Sequence, residues 1–212
     1  MNGIDTNVET LNLYQNQLAM LQLEIKPQET YSRLKLVLRV FFGLFYIVIP
    51  HLILLLFVIM WAKFLWIYTT FYILIRGTYP QKVWNYQLGL MYWLARLHLS
   101  VYNLRDDYPK FGWNTESNYI IIEVPFNEAP DRLWVLLRFI FMGVLLVPHI
   151  IVWMFRNMWS FILSIMAFFA VLFTGKYPQN WFEFNVGTLN WVMRILGYQM
   201  YLFDEYPPFS GK

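Results

Sequence analysis

The chain has 212 residues, of which 58% are hydrophobic, 21% aromatic and only 14% charged, and its formal net charge is +3. So few charged residues cannot coat a globule of this size, so the composition excludes an ordinary soluble domain. The sequence contains no cysteine, which excludes disulfides and thiolate metal sites. The apolar residues occur in long runs, which indicates that lipid forms part of the solvent.

The sequence contains one long segment twice. Pro50 and Pro148 are equivalent and lie 98 residues apart, whereas Arg39 and Arg138, upstream of them, lie 99 apart. One residue was therefore lost from the second copy. A period this long predicts a duplicated module rather than a solenoid. We divide the chain into an N-terminal arm (1–18), a first membrane repeat (19–111) and a second membrane repeat (112–212).

Each repeat is predicted to open with a short strand. Residues 21–25 read LQLEI and residues 120–124 read IIIEV, and a proline follows each segment within two residues. Two isolated strands would leave open edges, so we expect them to pair with each other or with a partner.

The apolar run after each strand is too long for one membrane crossing. Residues 34–75 would form a helix of roughly 63 Å, about twice the hydrocarbon thickness of a bilayer. We therefore expect each run to turn back near its interrupting charge, Lys63 in one copy and Arg156 in the other. This predicts a two-helix transmembrane hairpin in each repeat, over residues 34–57 with 62–76 and 133–155 with 159–174.

A third helix is predicted in each repeat, over residues 81–104 and around residues 180–197. Its polar residues recur three, four or seven positions apart, which gives one narrow polar face on a broad apolar helix. Such a helix suits the plane of the membrane interface, although a third crossing is the alternative. Nearby tryptophans and tyrosines suit an aromatic belt, among them Trp93, Trp191, Tyr108 and Tyr206.

The distribution of cations favours two crossings per repeat. With two crossings, fourteen of the sixteen Lys and Arg residues face one side, as the positive-inside rule requires. The predicted fold class is therefore a mainly α, polytopic membrane protein of two tandem parallel repeats, related by an axis along the membrane normal. The predicted location is a bacterial cytoplasmic (inner) membrane, with both termini in the cytoplasm.

His51 and His149 are the strongest candidates for a functional site. Each follows a proline in the first membrane helix of its copy, and a pseudo-two-fold axis could bring the two rings face to face. The functional interpretation is a proton relay or the ligation of a haem or pigment. The structural interpretation is a proline kink at which the imidazole satisfies a backbone group.

Structural or interaction roles are expected for the other candidate residues. Arg39 and Arg138 either snorkel to the headgroups or pair with Asp106 and Asp204, and the sequence leaves both alternatives open. Small residues on the polar stripe are expected to let another helix approach closely. The remaining interaction residues on that stripe are Gly89, Arg96, Gly187 and Arg194.

These residues also carry a resemblance to a known family. The segments RLWVLLRFIFMGVLLVPH, LFTGKYPQNWFEF and DEYPPF in the second copy, and their equivalents in the first, resemble the bacterial membrane family DUF4389, a domain of unknown function. The resemblance spans about residues 19–111 and 112–209. The first copy departs from it with Arg76 before the glycine and with PKF in place of PPF. The resemblance implies duplicated two-span units in a bacterial inner membrane and carries no activity or catalytic residue.

The sequence predicts a non-catalytic scaffold or accessory subunit that docks onto a larger membrane protein complex through its cytoplasmic face. The alternatives are a lipid or small-molecule transport subunit and a redox or pigment accessory protein that uses His51 and His149. The expected partners are the lipid bilayer and other membrane protein subunits, with no nucleic acid. No cofactor is expected, and no nucleophile or metal-binding motif indicates an enzyme.

Overall fold

The computed structural model describes residues 20–211, which fold mainly as helix. The predicted N-terminal arm, residues 1–18, lies outside the described residues. In chain order the elements are β1 (Gln22–Ile25), α1 (Arg33–Arg76), α2 (Gln81–Val101), β2 (Ile120–Glu123), α3 (Arg132–Thr174) and α4 (Gln179–Gln199).

The two long helices, α1 and α3, begin and end at matching local signals. Ser32 and Asp131 are the N-caps, and each side chain accepts a hydrogen bond from the main chain three residues on, at 3.4 and 3.0 Å. Gly77 and Gly175 terminate the helices with φ of 75° and 72°. That left-handed conformation is strained for residues with a side chain, so glycine ends both helices efficiently.

Each long helix continues through the place where a turn was expected, so the predicted transmembrane hairpins are wrong. The charges there have partners and therefore require no turn. Arg156 donates through Nε to Thr188 Oγ1 at 2.9 Å and lies over the Phe184 ring at 4.3 Å. Lys63 lies over the Trp66 ring at 5.9 Å. Within residues 20–211, two helices rather than four are long and apolar enough to cross a membrane.

The two long helices are antiparallel to each other. Tyr31 N, just before α1, donates to Gly175 O at the end of α3 at 2.9 Å. At the other end, Tyr79 N donates to Glu128 O, just before α3, at 3.1 Å. If these helices crossed a bilayer perpendicularly, the two halves would face opposite ways, which differs from the expected parallel repeats.

The strands pair with each other as a two-stranded antiparallel sheet in which Leu23 lies opposite Ile122. Because side chains alternate along a strand, the sheet has a buried apolar face and an outer face. Glu24 and Glu123 are exposed on that outer face. The sheet packs against the two shorter helices, α2 and α4.

The shorter helices are not the interfacial helices that the sequence predicted. Much of the polar stripe is buried inside the protein, including Arg96 and Ser100 in α2 and Asn190 and Arg194 in α4. The period of three to four residues identified one distinct face correctly. The spacing does not indicate which groups contact that face, and in the structure main-chain carbonyls, rather than water, contact its arginines.

A π-turn interrupts α1 at Leu44–Val48. It lies between Arg39 and Pro50, where the offset between equivalent residues changes from 99 to 98. A π-turn holds one more residue than the α-helical turn it replaces. The extra residue of the first copy is thus absorbed locally, and Arg39 and His51 both remain on the buried face of α1, as Arg138 and His149 do in α3.

Two helical glycines provide a test of the packing. A Cβ at Gly89 would lie 2.8 Å from both Cβ and the main-chain O of Trp113, whereas a Cβ at Gly143 meets nothing within 4 Å. We expect Gly89→Ala to destabilise the fold by about 1–3 kcal/mol through overpacking. Gly143→Ala should stabilise α3 by about 0.5–1 kcal/mol, because alanine is the better helix former.

Urea unfolding in a mild detergent, followed by tryptophan fluorescence, measures both free energies. Equal effects of the two substitutions would contradict the packing of Trp113 on α2.

Candidate functional site

A short segment after each of the shorter helices returns along the buried face of a long helix. We call residues 103–111 and 201–209 the first and second closing segments. Each includes a pattern that the two halves share, RDDYPKF in one and DEYPPF in the other. These segments bring together the histidines, arginines and aspartates that the sequence singled out.

The first closing segment is fixed by Arg39. Its Nε donates to Asn103 Oδ1 at 2.8 Å, its Nη1 donates to Arg105 O, and its Nη2 donates to Asp106 Oδ1 at 3.1 Å. The side chains of Arg39 and Asp106 are each 5% exposed. The same carboxylate accepts from Ser32 N at 2.5 Å through its other oxygen. Of the two alternatives for this arginine, the structure therefore has the ion pair.

The second closing segment is fixed in the same way by Arg138. Its Nη1 donates to Phe203 O at 2.8 Å and to Tyr198 O at 3.3 Å, and its Nη2 donates to the carboxylate of Asp204. The Arg138 side chain is fully buried. Its guanidinium also lies over the rings of Tyr198 and Tyr201, at 4.7 and 5.0 Å, where cation–π attraction adds to the ion pair.

The tyrosine of each closing segment binds a helix carbonyl near the proline. Pro50 has no N–H for the carbonyl four residues before it, that of Tyr46. The Tyr108 hydroxyl donates to this oxygen at 3.2 Å. In α3, the Tyr206 hydroxyl donates to Leu145 O at 2.8 Å. The hydroxyl of a distant tyrosine, rather than the imidazole that the structural interpretation proposed, thus satisfies the backbone at Tyr46.

Each histidine is enclosed by aromatic rings of its own half. Trp93 Nε1 donates to His51 Nδ1 at 2.8 Å, and the Phe111 ring stacks on the imidazole with centroids 3.9 Å apart. His149 accepts from Trp191 Nε1 at 3.1 Å, and its stacking partner at 4.1 Å is Phe209. Each imidazole thus contacts rings of its own half, and the two histidines do not meet face to face as a pseudo-two-fold axis could have placed them.

This enclosure disfavours the redox or pigment interpretation. Both histidines are 0% exposed, so a haem or pigment could reach neither ring without displacement of the closing segment. One nitrogen of each ring already accepts a hydrogen bond from tryptophan. Within residues 20–211, no group of three or more His, Asp or Glu side chains is arranged to hold a metal ion.

The histidine–tryptophan bond gives a testable stability contribution. Trp93→Phe leaves His51 Nδ1 buried without its donor, which should cost about 1–3 kcal/mol beyond the change in ring size. His51→Leu removes the acceptor, so the double variant should lose less than the sum of the two single variants. A double-mutant cycle in urea unfolding measures this coupling, and additive effects would contradict the hydrogen bond.

The arginines of the shorter helices hold loops rather than facing a partner helix. Arg96 donates to the carbonyls of Lys110, Gly112 and Asn114 at 2.6–3.2 Å. Arg194 donates through Nε to Leu21 O at 3.1 Å. These contacts fix the main chain that precedes each strand to the shorter helices.

The two glycines of the polar stripe, Gly89 and Gly187, are packed against a loop residue, a side chain and a carbonyl, and not against the backbone of another helix. Gly89 admits Trp113, from the segment that joins the halves, and Gly187 admits the Arg156 guanidinium and the carbonyl of Gly211. At Gly187 the neighbouring side chain belongs to another helix, α3, whereas at Gly89 the neighbour is a loop residue. Sequence spacing identified positions that need a small residue but not the neighbour that requires it.

An apolar crevice of about 460 Å³ opens beside the π-turn, between the start of α1 and the end of α3. Apolar side chains dominate its walls, with Leu44, Ile47, Phe161 and Phe168 among them, and Arg39 lies at its edge. The crevice is continuous with the exposed apolar surface of the long helices, since Leu44 and Phe161 are 56% and 60% exposed.

Sequence reasoning missed several residues of this arrangement. Phe111 and Phe209 stack on the histidines, and Trp93 and Trp191, which were assigned to an aromatic belt, bind them. The available signal was the recurrence of Tyr-Pro-x-Phe at the same place in both halves. Asn103, the partner of Arg39, gave a weaker signal: it adopts φ 57°, a conformation that asparagine tolerates.

In the part of the chain that the structure describes, the fold and site together define a mainly helical protein with two helices long and apolar enough to cross a membrane. Residues 132–211 match the family model described as a domain of unknown function, DUF4389. No curated protein and no solved structure matches the chain.

Proposed function

We propose that the chain is a non-catalytic membrane subunit that docks onto a larger membrane protein complex as a scaffold or accessory component. The main support is that its buried arginines bind groups of the chain itself. Arg39, Arg96, Arg138 and Arg194 all bind carbonyls or carboxylates of the chain itself. A catalytic site needs polar groups that can reach a substrate, whereas these groups hold loops and closing segments against the helices.

The surface also supports this proposal. The long helices expose large apolar side chains along their length, for example Phe57 at 65% and Phe155 at 68%, and extended apolar patches mark contacts with membranes or proteins. The outer face of the sheet is polar instead, and a two-stranded sheet leaves edges to which a partner can add a strand. We assign the apolar surface to a bacterial inner membrane and the polar side, with both termini, to the cytoplasm.

The two halves support an origin by duplication of one module. Each half holds the same set of contacts: an arginine with an aspartate, a tyrosine hydroxyl with a helix carbonyl, and a histidine between tryptophan and phenylalanine. The proposed units are residues 19–111 and 112–212. The lipid bilayer and other membrane subunits are the proposed partners, and nucleic acid is not among them.

Purification in a gentle detergent, followed by mass spectrometry, tests the docking proposal. We expect a stoichiometric membrane partner that is lost when both sheet carboxylates are reversed in Glu24→Lys/Glu123→Lys. The control is Glu116→Lys, an exposed charge reversal outside the sheet. A lone monomer recovered under conditions that preserve other membrane complexes would contradict the proposal.

The apolar crevice favours a second candidate function, a lipid or small-molecule transport subunit. Ser164→Trp would fill the crevice, whereas Ile67→Trp adds the same ring at an exposed position of α1 outside it. Under this alternative, movement of a fluorescent lipid across reconstituted vesicles falls for the first variant only. Equal rates with and without the wild-type protein would rule out the alternative.

A further inference from the structure

We infer that α1 and α3 lie in the plane of the membrane, within one leaflet, and do not cross it. The sheet and the polar loops then face the water on one side. This inference rests on the proposed membrane association. It also names the lipid surface involved, the boundary between the headgroups and acyl chains of a single leaflet.

The exposed apolar surface is too long for a perpendicular crossing. α1 has 44 residues and is about 66 Å long, against about 30 Å of hydrocarbon. Its apolar exposure reaches both ends, since Leu34 is 70% and Ile75 is 73% exposed. α3 repeats this pattern with Leu133 at 65% and Phe173 at 74%. A perpendicular helix would leave all four side chains in water.

Tilt does not remove this difficulty. A crossing helix of this length would need a tilt of about 60° to keep both ends within the hydrocarbon, and transmembrane helices tilt by roughly 0–40°. A helix in the interface plane has no such limit on its length. It buries its apolar face about 5–10 Å deep along its whole length.

The level of the sheet along the long helices also favours helices in the membrane plane. Ile122 N donates to the Tyr92 hydroxyl at 3.0 Å, and the next residue, Trp93, donates to His51. His51 is about 27 Å from the start of α1, close to the middle of the helix. The sheet therefore lies level with the helix centre.

The second half places the sheet at a similar level. Arg194 binds Leu21 O, just before β1, and lies one turn from Trp191, which donates to His149. If the long helices stood perpendicular to the membrane, the exposed Glu24 and Glu123 would lie near the centre of the bilayer. Exposed carboxylates are costly there, whereas helices in the membrane plane leave them in water.

Exposed cations lie at both ends of the helix pair. Arg33, Lys35 and Lys176 are at one end, and Arg76, Lys82 and Arg132 are at the other. Perpendicular helices would divide these two groups between the two sides of the membrane, against the positive-inside rule. Helices in the membrane plane place both groups at the same headgroup surface.

This orientation also explains how antiparallel long helices fit two like-oriented halves. A two-fold axis perpendicular to two antiparallel helices can relate one helix to the other. When both helices lie in the membrane plane, this axis points along the membrane normal. Both halves then present their sheet strand and closing segment to the same side.

Single cysteines provide the test, because the natural chain has none. Lys35→Cys, Arg76→Cys and Glu123→Cys mark the two ends of α1 and the sheet, all at exposed positions. An impermeant maleimide is applied to right-side-out and inside-out membrane vesicles, and labelling after solubilisation defines complete reaction. We expect all three positions to react from the same side, and reaction of Lys35→Cys and Arg76→Cys from opposite sides would overturn the inference.

A depth measurement gives an independent outcome. A fluorophore on Leu34→Cys, Leu56→Cys or Ile75→Cys should be quenched equally by a shallow nitroxide lipid. A deep central position between two shallow ends would instead indicate a crossing helix. Release of the chain by an alkaline wash of the membranes would contradict the proposed membrane subunit itself, so the two failures are distinguishable.

Discussion

Replacement of Arg138 by methionine should cost about 3–5 kcal/mol of unfolding free energy, the range observed when one partner of a buried ion pair is removed. The guanidinium is fully buried and binds the Asp204 carboxylate together with the carbonyls of Phe203 and Tyr198. Methionine fills a similar volume but leaves these three acceptors without their donor. Urea unfolding in detergent measures the loss.

Two controls separate the Arg138–Asp204 ion pair, whose carboxylate is 28% exposed, from surface charge in general. Asp107→Asn breaks the pair with Arg105, in which the aspartate is 50% exposed, and should cost only about 0–1 kcal/mol. The double variant Arg138→Met/Asp204→Asn should recover part of the loss, because no unpaired carboxylate remains. A loss below about 1 kcal/mol in Arg138→Met would contradict the proposed role of Arg138 in fixing the second closing segment.

The sequence predicted well those features that depend on local chemistry. The strands lie at or within the expected segments, and the change in spacing between the two copies, which the sequence attributed to one lost residue, falls at the π-turn. These features depend on a few neighbouring residues and are therefore visible in the chain itself.

The sequence could not predict which groups satisfy the polar residues from a distance. Lys63 and Arg156 were interpreted as the tips of hairpins because charges are costly in lipid. Arg156 instead finds Thr188 and Phe184, on a helix some thirty residues later. In the same way, Arg96 was assigned to an exposed stripe because the loop carbonyls that it binds carry no sequence signal.

Single-residue deletions at equivalent positions of α1 and α3 should differ strongly in their effect on stability, because only α1 contains the π-turn. Deletion of Phe45, 65% exposed within the π-turn, should convert it to a regular α-helical turn and change stability by only about 1 kcal/mol. Val144 is the equivalent residue in α3 and is 71% exposed. Because α3 has no π-turn at this place, no extra residue absorbs the deletion of Val144. Neither deletion removes a buried side chain, so their difference isolates the helical register.

The register explains why the second deletion should be severe. Arg138 and His149 are eleven residues apart, about three full turns, so they share one face of α3. When the deletion reduces their separation from eleven residues to ten, Arg138 would rotate away by about 100° and lose Asp204, while His149 kept Trp191. We therefore expect the Val144 deletion to cost at least as much as Arg138→Met, about 3–5 kcal/mol. Similar losses for both deletions in urea unfolding would show that the π-turn does not accommodate the extra residue of the first half.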